Sequence, residues 1–154
     1  MLSIKKYTEK KLTEWNKFVN LSNNGTLFHN RKFLSYHLNR DFIDCSLLFF
    51  DSDRLIAVLP AAEIKENKKK IFFSHPGASY GGFIISENLK FKTINEIINL
   101  LEQYCVDNHF NEIILINTPP LYFKNRTDNI DYLLGWNQFE ESETYISHIT
   151  DLTL

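Results

Sequence analysis

The stretch from Phe91 to His109 constrains the fold more than any other part of the chain. Ile94, Ile97, Ile98, Leu101, Tyr104 and Cys105 recur at helical spacing on one face, so this segment must bury an apolar stripe against another element. Thr93-Ile94-Asn95-Glu96 has the form of a capping box and predicts where the helix begins. Glu112 to Asn117 follows at once as a continuous apolar run of strand length, the pattern of a strand covered on both faces. A long helix feeding such a strand predicts a sheet with helices on both sides.

The residues ahead of this helix read as a β-meander. Cys45 to Phe50 and Leu55 to Ala62 are apolar with Asp51-Ser52-Asp53 as turn chemistry between them, and Ile71 to Phe73 resumes after the turn Lys65-Glu66-Asn67-Lys68-Lys69-Lys70. At a hairpin tip that lysine run reads as a solvated loop. Earlier still, Thr8 is placed to cap a helix over residues 8 to 21, with Leu12, Trp15, Phe18 and Val19 inward and Tyr7 and Leu12 as a hydrophobic staple. Asn23-Asn24-Gly25-Thr26 is a turn, and residues 30 to 39 form a second amphipathic stretch pairing Phe33 and Leu34 with His37 and Leu38. Beyond the apolar run, Pro119-Pro120 ends the strand, Asp128 to Leu134 with Gly135 after it is a short helix, and Phe139 to Thr153 alternates as a terminal strand. The order predicts an α+β fold: a mixed, mostly antiparallel sheet with helices on both faces, and no linker or repeat divides residues 1–154.

Composition narrows the partners. With 44% hydrophobic and 23% charged residues the chain is a globular domain, and a net charge of -2 provides no field for general nucleic-acid binding. No window approaches the roughly 18 apolar residues of a membrane span, and Cys45 and Cys105 lie in apolar runs without a CxxC pairing, so a cytoplasmic location with buried thiols is expected. His29, His37, His109 and His148 show no metal-ligand spacing, and no metal site is expected.

The densest chemistry lies in Ser74-His75-Pro76-Gly77-Ala78-Ser79-Tyr80-Gly81-Gly82-Phe83, which joins the meander to the long helix. Gly81-Gly82 permits close approach of another backbone or of a ligand, and Ser79, His75 and Tyr80 offer polar tips beside it; a tight connection in which Tyr80 simply packs is the plainer alternative. Gly77-Ala78-Ser79-Tyr80-Gly81 also fits the Gly-x-Ser-x-Gly elbow of serine hydrolases, with Asp128 and His148 following in chain order, but an elbow needs a helix directly after it and Phe83-Ile84-Ile85 reads as strand. His29 adds a polar group in a turn leading into the second helix.

Several segments together resemble the N-terminal half of the Fem-type acyltransferases, in the GNAT-like N-acyltransferase group. They are Trp15-Asn16-Lys17-Phe18 with Asn24 to His29, Ala57-Val58-Leu59-Pro60, Ser74 to Gly82, and Tyr145 to Ile149. The resemblance implies a GNAT-like domain whose acyl-CoA or aminoacyl-tRNA donor is held mainly by a second half, on another chain or through a homodimer. The small-molecule amine acceptor, a cell-wall precursor or amino sugar, would bind between the halves. The Gly-rich Arg/Gln-x-x-Gly-x-Gly/Ala donor loop of that group, which opens a helix, has no counterpart here. On this reading His75, Ser79, Tyr80, Gly81, Gly82 and His29 belong to the acceptor site, no catalytic residue is assigned, and the chain works as one half of an enzyme. A binding domain that kept the fold without the reaction is the alternative.

Overall fold

A computed structural model of the chain describes residues 1–35 and 43–144. The meander appears as predicted but is broken along one line. Strand β2 (Ile43–Asp44) passes through Cys45-Ser46 into β3 (Leu47–Asp51), β4 (Arg54–Leu59) passes through Pro60-Ala61 into β5 (Ala62–Glu66), and β6 (Lys69–Ser74) continues after residues 75–83 as β7 (Ile84–Ile85). Each of these crossings moves the chain between two sheets. Among the described residues one sheet has the order β1-β3-β4-β7, with β1 at Leu2–Lys6, and the other β2-β5-β6-β8, with β8 at Glu112–Leu115. Pro60 has no amide to contribute to a ladder, which favours a break there. Ser46 repairs it: its Oγ accepts from the Ala61 amide at 3.0 Å and donates to the Ala61 carbonyl at 3.3 Å. The glycine-rich loop is the third crossing of that line.

Helices cover both faces of the first sheet. On β3, Leu47 and Phe49 join Ile94, Ile97, Ile98 and Leu101 of α3 (Phe91–Asp107) and Ile130, Leu133 and Leu134 of α4 (Asn129–Trp136), whereas Leu48 and Phe50 join Trp15 and Val19 of α1 (Leu12–Leu21). The doubly covered strands are therefore β3 and β4, whose residues from Leu47 to Phe50 and from Ile56 to Leu59 are all buried. This corrects the expectation for the Glu112 to Asn117 run. Strand β8 pairs only with β6, in parallel, as the last strand of its sheet among the described residues, and Glu112 is exposed while residues 113–115 are half-buried. Its continuous apolar character reflects packing of Ile113 and Leu115 against the edge of the core.

The helix starts also differ from the sequence pattern. Thr8 precedes a 3-10 turn, Glu9–Lys11, and makes no side-chain cap. Leu12 is 39% exposed, so no staple forms. Tyr7 instead meets Trp15 edge-on at 5.4 Å beneath the Arg31 guanidinium, 3.8 Å from the Tyr7 ring. Helix α3 begins at Phe91 with Lys90 as its N-cap, which puts Thr93 inside the first turn and leaves the predicted capping box unformed. Helix α2 (Arg31–Leu34) is capped by the Asn30 side chain. The remainder of the predicted second helix, His37, His148 and the Tyr145 to Ile149 segment lie partly or wholly outside the described residues, and residues 139–144 of the predicted terminal strand are not strand. No helix of the described residues is long and apolar enough to cross a membrane.

Candidate functional site

The loop after β6 is shaped by what its glycines touch. Gly81 donates to the Ile116 carbonyl at 2.7 Å, and a Cβ there would stand 2.8 Å from the His75 nitrogen and 2.9 Å from the Ser74 carbonyl carbon. Gly82 has φ +72°, donates to Ser74 Oγ at 2.9 Å, and would place a Cβ 2.6 Å from Asn117 Oδ1 and 3.0 Å from Asn117 Cα. Both glycines are thus required, Gly81 by contact with the end of β6 and the start of the loop, and Gly82 by contact with the chain leaving β8 and by its left-handed backbone.

His29 is wholly buried behind this loop. Its Nδ1 accepts from the Thr26 amide at 3.0 Å, which leaves Nε2 carrying the proton and donating to the Gly81 carbonyl at 3.0 Å. Thr118 Oγ1 donates to the same carbonyl at 3.2 Å. Burial pushes the imidazole down to about 4, against a smaller upward pull from the Gly81 bond, so His29 is neutral near pH 7. The Thr26 to His29 segment forms a reciprocal capping box that no sequence expectation included.

The structure brings five of the six sequence-predicted site residues into one buried cluster. His75 is 5% exposed with Nδ1 2.8 Å from the Pro76 carbonyl oxygen, and Tyr80 is 9% exposed with its ring 4.7 Å from Phe28, 5.8 Å from His29 and 5.5 Å from Tyr122. Burial raises the Tyr80 phenol, with a smaller lowering from a hydrogen bond to Thr26 and a raising one from Tyr122. Ser79 is the exception: it sits exposed on the turn. Phe83 and β7 follow it, and no helix begins before Phe91, so the strand-serine-helix elbow of a hydrolase is not formed. Among the described residues no group of His, Cys, Asp and Glu is arranged to hold a metal ion.

Sequence reasoning missed the residues that fasten this cluster. Asn24 behaves as a short extra strand, donating from Nδ2 to the Phe83 carbonyl at 2.7 Å and accepting at Oδ1 from the Ile85 amide at 2.9 Å. Asn23 exchanges side-chain bonds with the Asn125 backbone, 2.9 Å from Nδ2 to the carbonyl and 2.8 Å from the amide to Oδ1. The adjacent amides were legible as a turn, but their partners, 59 and 61 residues away for Asn24 and 102 for Asn23, were not.

Between the start of β7 and the chain leaving β8 lies a narrow wedge of about 10 Å³, lined by Asn24, Phe83, Asn117, Thr118, Phe123, Ile130 and Asp131. A larger groove of about 350 Å³ between α3 and α4, edged by Phe91, Tyr132 and Trp136, shares no residue with the loop.

No protein-family model matches the chain, and no curated protein does. Solved structures do. An aminoglycoside acetyltransferase from an uncultured soil metagenomic sample aligns with a TM-score of 0.62 at 9% identity, over 98% of this chain and 99% of its own. AAC(6')-Iy, in complex with the bisubstrate analogue CoA-S-monomethyl-acetylneamine, aligns at 0.60 and 13% over the same shares, 98% and 99%. A possible acetyltransferase from Clostridium difficile 630 aligns at 0.59 and 12%, again over 98% and 99%. The chain has the fold of the GNAT acetyltransferases. Within this GNAT fold, α3 opens on Lys90 and Phe91 with no glycine at its start, and Gly81-Gly82 leads into β7 instead.

Proposed function

We propose that the chain serves the acceptor side of an N-acyl transfer, as the Fem-type resemblance implies, with a small amine at loop 75–82 and the donor, an acyl-CoA or aminoacyl-tRNA, held by a second GNAT-like half or a second copy. The closed wedge carries this reading. Ligand pockets run from roughly 300 Å³ upward, against about 10 Å³ in the wedge beside the start of β7. The helix that would receive a donor phosphate also lacks a glycine-rich approach.

Amide formation requires the acceptor nitrogen to be deprotonated and aligned with the donor carbonyl; its lone pair attacks that carbon, its proton departs, and the thiol or alcohol leaves. Alignment alone lowers the barrier by several kcal/mol, on the order of 7 or more in favourable cases. In this chain the alignment is assigned to the Gly81-Gly82 backbone, Tyr80, His75 and the exposed Ser79. His29 and Thr118 fix the Gly81 carbonyl and act as positioning residues; His29 has both ring nitrogens engaged within the protein.

A second reading, a self-sufficient acyl-CoA enzyme, is favoured by coverage: the neighbour bound to a CoA analogue is matched over 99% of its length. The acceptor assignment is tested by titrating the chain with a panel of amino sugars and aminoglycosides while following backbone amide shifts. Shifts centred on Tyr80, Gly81 and Gly82, abolished by His75→Ala and weakened by Tyr80→Phe, support it; binding that leaves this loop undisturbed refutes it.

A further inference from the structure

Tyr80 is covered, and the geometry points to residues 119–126 as a lid over it, latched by Asn23; this rests on the reading of loop 75–82 as the acceptor site, since it names the piece that must move to admit an amine. Tyr122 lies against Tyr80 at 5.5 Å with the rings 32° apart, and Phe123 tucks into the edge of the core. The remainder of the segment faces water: Leu121, Tyr122, Lys124, Asn125 and Arg126 are exposed. Its own regular structure is one 3-10 turn, Pro120–Tyr122.

What holds it converges on one residue. The Lys124 amide donates to the Asn23 carbonyl at 2.9 Å, and the Asn23 side chain makes its two bonds to the Asn125 backbone. The ion pair between Lys124 and Glu87, 3.5 Å apart, is half-exposed and adds little. Asn23 itself is 3% exposed, and its amide donates to the Ile85 carbonyl of β7 at 2.8 Å, so the latch stands on the rigid core while the lid does not. A segment with few buried contacts and a localised attachment opens at far lower cost than the whole fold, and lids of this kind gate access to sites beneath them.

Amide hydrogen exchange on the unmodified chain tests the lid directly. The amides of Lys124 and Asn125 are expected to exchange at least tenfold faster than those of Phe49 and Phe72, without dependence on denaturant; exchange at the core rate overturns the proposal. Coupling to the site is read by placing a thiol beneath the lid, Tyr80→Cys, and following its reaction with a disulfide reagent, with Cys45 and Cys105 reporting global unfolding. Adding Asn23→Ala removes two hydrogen bonds and should accelerate labelling at position 80 by roughly tenfold or more, with Cys45 and Cys105 unchanged. Acceleration confined to the Lys124 and Asn125 amides, or shared by the core cysteines, refutes a lid. None of these measurements needs an acceptor, so failure of the acceptor assignment is read separately.

Discussion

Protonating His29 should unfasten the loop, and the size of the effect follows from its surroundings. Burial holds the imidazole at about 4 in the folded chain against 6.5 when exposed. Between those values the unfolded chain binds the extra proton and the folded chain does not, so stability is fully present above 6.5 and is lost as pH falls toward 4. From pH 7 to about pH 5 the loss is about 2 kcal/mol, at 1.36 kcal/mol per pKa unit. The structural cause is specific: Nδ1 must give up the Thr26 amide to take the proton. Urea unfolding across this range should show the decline in the parent chain, superimposed on whatever the carboxylates contribute. His29→Gln should be less stable at pH 7 by about 1–3 kcal/mol, because the Thr26 amide or the Gly81 carbonyl loses its partner, and should lack that part of the pH dependence. Parallel pH profiles for the two proteins would refute the assignment of the proton to His29.

The loop glycines separate close approach from mere flexibility. Gly82→Ala, with φ +72° and Asn117 Cα at 3.0 Å, should lower stability by about 2–4 kcal/mol, whereas Gly135→Ala in α4, where an added Cβ meets nothing within 4 Å, should raise it by about 0.5–1 kcal/mol in thermal unfolding. Helix α3 has no side-chain cap, and Lys90→Asp should stabilise it by about 1 kcal/mol, measured as a shift in the urea midpoint. Burial pushes both thiols up, Cys105 to about 12, so neither cysteine should react with a disulfide reagent at pH 8 until the chain unfolds.

The fold was legible where periodicity decides it and less so where position in the sheet does. The face of α3 reads directly from Ile94, Ile97, Ile98, Leu101 and Cys105, all buried. The apolar run at β8 resembles that at β3, yet among the described residues one strand lies at the side of its sheet and the other is covered twice, because burial is set by partners that the run itself does not encode. At the proposed site, the density of Gly81, Gly82, His75 and Tyr80 marked a loop that the fold buries. His29 was read from its place before α2, and that local reading held no sign that its ring meets the Gly81 carbonyl, fifty-two residues away. Asn23 was legible only as part of a turn and Thr118 carried no local signal, since each acts through contacts across the fold.

Addition of acetyl-CoA to the isolated chain tests the central claim most directly. If the wedge is shut and the donor belongs to a second half, thermal unfolding at millimolar acetyl-CoA should be unshifted. A site with a dissociation constant one hundredth of the ligand concentration would stabilise the chain by about 2.7 kcal/mol, roughly 5–10 °C for a chain of this size. A rise of that order, saturating with ligand, would contradict the account and show that the chain binds the donor by itself.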